Sequence, residues 1–106
     1  MNNKIISIMT ERIVREFDPF QIILFGSQAR GDADRNSDID LLIVFEKLAD
    51  KDKRKTAVNI RVALADLLVA KDIVVTTPEE LEQHRTRIGS VLRYAQQEGK
   101  VLYANN

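Results

Sequence analysis

The chain has 106 residues, 44% hydrophobic and 30% charged, the proportions of an ordinary globular protein, and its length fits one domain spanning 1–106. Lys and Arg total 16, Asp and Glu total 16, and the formal net charge is zero, which argues against a global basic field and so against strong direct nucleic-acid binding. With no Cys and one His, His84, there is no disulfide framework, thiolate zinc site or histidine cluster; no apolar run nears the roughly 18 residues of a membrane span, and the cytoplasm is the expected compartment.

In chain order, Ile5, Met9, Ile13 and Phe17 recur every four residues, so Asn3 to Phe17 reads as an amphipathic helix. Asp18-Pro19 ends it, because the residue before a proline avoids the helical region. Gln21 to Phe25 is a short apolar run stopped by Gly26, the pattern of a buried strand. A short helix is expected from Ser27, followed by a polar loop in which Asp32, Asp34 and Arg35 read as solvated residues. A second strand is placed from about Ser37 to Glu46.

Ala49 to Lys55 reads as a charged turn, with the basic run Lys51 to Lys55 in solvent or, alternatively, in contact with a partner or RNA. From Lys55 to Val69, Ala57, Ile60, Leu64, Leu67 and Leu68 make one helical stripe. Val58, Val62, Ala65 and Val69 make a second, which predicts a broadly buried helix. Lys71 to Thr76 is a third strand. Thr77-Pro78-Glu79-Glu80 is a helix start: an N-cap, proline at the first position and Glu80 three after the cap. That helix carries Leu81, His84, Ile88, Val91, Leu92 and Ala95 on one side, with a possible break at Gly89. His84 reads there as a structural, partly buried histidine, and Arg85 and Arg87 as surface residues or as contacts to a partner or RNA. Gly99 is a C-terminal cap and Val101 to Tyr103 a short last strand. Strands alternating with helices give an α/β (α+β) domain around one small sheet.

The chemistry is concentrated between Leu24 and Val44. Gly26-Ser27 joins a strand end to a helix start, where free amides and a glycine admit a phosphate. Asp38 and Asp40 lie two apart on a strand, so both carboxylates fall on one face and Ile39 on the other. At roughly 6 Å two such charges repel by about 3 kcal/mol at an effective dielectric near 20. A divalent cation reverses that sign, and oxygen-only ligands suit magnesium. Phosphate at one end and metal at the other is the layout of a nucleoside triphosphate site. Asp72, opening the third strand, is the candidate third carboxylate.

Gly26-Ser27, ten residues, then Asp38-Ile39-Asp40 resembles the signature of the DNA polymerase β-like nucleotidyltransferase superfamily. Within it, Leu24 to Gly31 followed by Ser37 to Leu41, with Asp72 and the closing Gly99 to Tyr103, is similar to the minimal nucleotidyltransferase (MNT) antitoxins paired with HEPN-domain toxins. The resemblance covers about residues 5 to 103. It implies a mixed sheet of about four strands flanked by helices, with Asp38 and Asp40 as ligands of two Mg2+ ions. It implies that Asp72 shares a metal and helps deprotonate the acceptor, and that Gly26 and Ser27 hold the triphosphate; Arg30 is a candidate contact to triphosphate or acceptor. The implied reaction transfers AMP from ATP to a hydroxyl, commonly a tyrosine of the HEPN toxin. Larger relatives carry an acceptor-binding domain, so a chain of this length is expected to meet its acceptor on another protein. The alternatives are an antitoxin that neutralises by binding without catalysis, and transfer to a small-molecule hydroxyl.

Overall fold

The computed structural model describes residues 3–31, 38–84 and 98–105. In order these form α1 (Asn3–Phe17), β1 (Gln21–Phe25), α2 (Ser27–Arg30), β2 (Ile39–Val44), α3 (Asp50–Ala63), β3 (Lys71–Thr76), α4 (Pro78–His84) and β4 (Lys100–Ala104). The strands make one mixed sheet in the order β3-β2-β1-β4. β1 runs antiparallel to β2 and β4, and β2 runs parallel to β3. This is the one small sheet of an α+β domain that the alternating pattern predicts, with the mixed four-stranded arrangement that the family resemblance implies.

Alternation along the strands sorts the two faces. Ile22, Leu24, Ile39, Leu41, Ile43, Ile73 and Val75 join Ile6, Met9 and Ile13 of α1 and Ile60 of α3 in the main core. The other face is thinner: Ile23, Leu42 and Val44, with Phe25, Val74 and Leu81 of α4 packed against them. β2, central and apolar on both faces, is the spine of the molecule; Ile39 and Leu41 to Val44 are fully buried. Asp40 is the one β2 position that is polar and partly exposed.

The limits of α1, β1 and β3 coincide with the sequence reading. α1 closes as Asp18 adopts φ +49° and donates its amide to the Val14 carbonyl, a left-handed turn that Asp tolerates better than most residues. β2 is shorter than expected, starting at Ile39 and ending at Val44, which leaves Asp38 just outside the strand. β4 is longer, spanning Lys100–Ala104.

The largest correction concerns α3. Its charged leader is helix, not turn: α3 begins at Asp50, with Asp50 and Asp52 in the first turn, where carboxylates complement the helix dipole. Lys53 is not a solvated surface group. Its side chain is 14% exposed and bridges Asp50 and Glu80. At the other end α3 stops at Ala63, six residues early. Leu64, Ala65 and Leu67 donate to carbonyls three residues back, at Arg61, Val62 and Leu64, and this tightening unwinds the last turn. Of the second apolar stripe only Val69 packs against the core; Ala65 is exposed, Val58 is 46% exposed and Val62 69%, and Leu68, from the first stripe, is 95% exposed.

Thr77 caps α4 as expected, its hydroxyl accepting the Glu80 amide at 3.3 Å. Glu80 departs from the capping-box geometry: its carboxylate takes the hydroxyl of buried Thr76 and the ammonium of Lys53. His84 is half-buried. The expected continuation of this helix through Ile88, Val91, Leu92 and Ala95, a break at Gly89, and the surface roles of Arg85, Arg87, Asp32, Asp34 and Arg35 lie outside the described residues. Among the described residues no helix is long and apolar enough to cross a membrane.

Candidate functional site

The candidate residues meet where three strand ends come together. β1 delivers its C-terminus there, while β2 and β3 deliver their N-termini. In the sheet register Phe25 lies opposite Asp40, and Asp40 lies beside Asp72. In-register neighbours present their side chains on the same face, so the two carboxylates stand side by side above the thinner core. Asp38 precedes them in an exposed position, with Ile39 between it and Asp40 buried in the opposite face.

Gly26 is built against this row. It has φ +74° and ψ −156°, a conformation essentially confined to glycine. A Cβ there would fall 2.2 Å from Asp40 Oδ2, so the missing side chain is what lets the carboxylate lie over the turn. The Gly26 carbonyl accepts the amides of Ala29 and Arg30, at 3.1 Å each. This fixes α2 directly behind the turn, with Ser27 as its first residue. Gly31, at φ +83°, ends α2 in a left-handed cap and donates to the Ser27 carbonyl. Ala29 anchors the short helix in the main core.

The electrostatics follow from the placement. Partial burial, the charge of Asp72 and the charge of Asp38, in that order, raise the Asp40 carboxyl above its ordinary pKa; Arg30 works weakly the other way. Arg30 also faces Glu98, at 3.8 Å. Asp40 is therefore a desolvated carboxylate next to two like charges, which is what a bound cation relieves.

A group not singled out from sequence completes the edge. Arg61, on α3, reaches Asp72 Oδ1 and the Ile73 carbonyl, both at 3.5 Å. Lys71 secures the turn before Asp72 by donating to the carbonyls of Leu67 at 2.9 Å and Val69 at 3.0 Å. Ile39 likewise donates to the Ala70 carbonyl at 2.9 Å. Arg61 was hidden because its role depends on where α3 crosses β3, which no local spacing encodes.

Among the described residues no group of three acidic, His or Cys side chains is gathered as a metal-ligand set. The donors nonetheless fit a hard divalent cation. They are oxygen-only, and like charges held together at Asp40 favour neutralisation by a metal.

A sheet edge with paired aspartates beside a glycine turn at a helix start defines a protein that handles phosphate esters. The family model of the nucleotidyltransferase domain matches residues 6–101, and the chain belongs to that family; it is a nucleotidyltransferase. A candidate nucleotidyltransferase from Sulfolobus solfataricus superposes with a TM-score of 0.69 at 20% identity, covering 96% of this chain and 79% of that one. A chain of a toxin–antitoxin structure with AMP-PNP is 27% identical with a TM-score of 0.54, covering 99% of this chain and 74% of that one. A chain of a mutant MntA–HpeT toxin–antitoxin structure is 24% identical, TM-score 0.52, with 100% and 75% coverage. No curated protein matches the chain.

Proposed function

We propose that this nucleotidyltransferase uses Mg2+ and ATP to place AMP on a hydroxyl of a partner protein, a tyrosine of a HEPN-type toxin, and thereby acts as its antitoxin. The observation that carries the chemistry is Gly26 closed against Asp40, with Asp72 in register beside it. The toxin–antitoxin chain with AMP-PNP, 27% identical over nearly all of this chain, supports both a protein partner and an adenine nucleotide.

In this reading Asp38 and Asp40 would hold two Mg2+ ions, with Asp72 as a further ligand. The metals supply charge neutralisation of the triphosphate and of the departing pyrophosphate. Gly26 and the Ser27 hydroxyl bind the triphosphate at the start of α2, with Arg30 at its flank. The acceptor oxygen attacks the α-phosphorus. A new oxygen–phosphorus bond forms as the bond to pyrophosphate breaks, and the hydroxyl proton passes to the Asp72 carboxylate.

Label transfer tests this directly. With α-labelled ATP, Mg2+ and the protein encoded beside it, label is expected on that protein, and Asp38→Ala is expected to lower the rate at least about 100-fold. Absence of transfer, or transfer undiminished by the substitution, would remove the proposal.

Arg61 gives a finer prediction. Its guanidinium orients Asp72 without being placed on the nucleotide. Arg61→Ala is therefore expected to lower kcat about 10-fold, in the range of substitutions behind a metal ligand, with little change in KM for ATP. Steady-state kinetics over an ATP series checks it.

A further inference from the structure

The outward face of α3 is an unusual surface for a helix beside a catalytic site. Positions 51, 54, 55, 58, 61 and 62 fall within one arc of about 120° at 100° per residue, and all are exposed. None is acidic. The first half of the arc is basic, with Lys51, Arg54 and Lys55; among the described residues none of these three has a carboxylate partner. The second half carries Val58 at 46% exposure and Val62 at 69% beside Arg61, and Leu68 lies past the end of the helix at 95%. β-Branched and leucine side chains standing in water, in a row next to a patch of one sign, mark an interaction surface.

Its position says what the surface is for. Arg61 stands at one margin of this arc and reaches Asp72 at 3.5 Å, so a molecule seated on α3 that extends past Arg61 meets the end of the carboxylate row. We infer that this face docks the acceptor protein, through a contact surface that is acidic opposite Lys51, Arg54 and Lys55 and apolar opposite Val58, Val62 and Leu68. The inference rests on the proposed transfer to a protein hydroxyl and adds where that protein binds. Exposed apolar side chains alongside a basic patch fit a folded protein partner better than RNA, whose phosphates would leave the valines and leucine uncovered.

The test measures binding and transfer separately, with the protein encoded by the adjacent gene as probe. Val62→Asp and the double change Arg54→Glu with Lys55→Glu alter exposed side chains. They are expected to weaken calorimetric binding of that protein at least about 30-fold and to raise its KM in the transfer assay, with AMP-PNP affinity and melting temperature unchanged. Val62→Ile is expected to bind like the parent. If the parent binds without transferring label, the proposed activity fails while binding still reports on the α3 face. Unchanged binding and KM in Val62→Asp overturn the docking assignment. So does a parent dimer that Val62→Asp dissociates in sedimentation, or single-stranded RNA bound by the parent and released by the double change.

Discussion

Gly26→Ala is expected to destabilise the protein by about 3 kcal/mol, to lower its melting temperature by about 10 °C or more, and to reduce transfer at least about 100-fold. Two separate costs produce this. The backbone at φ +74° and ψ −156° strains any residue with a Cβ by about 1–3 kcal/mol. The added methyl would also lie 2.2 Å from Asp40 Oδ2 and 3.1 Å from its Cγ, so either the turn or the carboxylate must move. A displacement near 1 Å within a reacting geometry costs on the order of 100-fold in rate, and each kcal/mol lost lowers the melting temperature of a domain this size by about 4 °C or more. Gly31 supplies the control. It too has positive φ, at +83°, but a Cβ there meets nothing within 4 Å among the described residues. Gly31→Ala is therefore expected to cost about 1–2 kcal/mol of left-handed strain while transfer stays near parental. Thermal melts and initial rates on both variants decide it; equal losses at the two glycines would show that contact with Asp40 is not what Gly26 provides.

Much of this site was readable because it is local. Gly26, Ser27, Asp38 and Asp40 lie within fifteen positions, and period-2 alternation alone puts Ile39 in the core and Asp40 on the opposite face. Strand limits at Gln21, Phe25, Lys71 and Thr76 were equally legible, since short apolar runs bounded by glycine, proline and charge leave little choice. What could not be read depends on contacts made across the chain. Asp50 to Lys55 looked like a turn because charge is a weak local signal; Lys53 finds Glu80 only once α4 has been brought alongside. The stripe Val58, Val62 and Ala65 promised burial by periodicity, yet the sheet needs one face of α3, and Ile60 and Leu64 fill it. Hydrophobic spacing shows that a helix has an apolar side, not how many sides have a neighbour. The side left over is the surface assigned to the partner.

Asp40 is where stability and chemistry oppose one another, and Asp40→Asn should separate them. The substitution keeps the shape and removes one of three neighbouring negative charges. Carboxylates about 5–6 Å apart repel by about 1 kcal/mol in bulk water and about 3 kcal/mol at an effective dielectric of 20. Asp72 is exposed, so the lower figure applies, and in chelator at pH 7.5 the variant is expected to melt about 4 °C above the parent. The pH dependence has a fixed sign. Burial, Asp72 and Asp38 raise the Asp40 pKa in the fold, so the ionised carboxylate burdens the folded state above that pKa. Acidification through the folded pKa protonates Asp40 in the fold while it is still ionised in the unfolded chain, and the parent regains the difference. The gap between variant and parent should therefore be widest at neutral pH and should narrow toward acid. Added Mg2+ should work in the opposite direction, stabilising the parent more than Asp40→Asn, because in the proposed reading the cation is bound by the charge that the substitution removes. Transfer should fall about 1,000-fold, a loss expected when a charge that organises the transition state is deleted. A melting series across pH, with chelator and with Mg2+, checks each part. An Asp40→Asn protein that melts below its parent at pH 7.5 in chelator, or a gap that does not change with pH, would mean that Asp40 carries no repulsive charge in the fold, and the case for a cation at this sheet edge would lose its electrostatic basis.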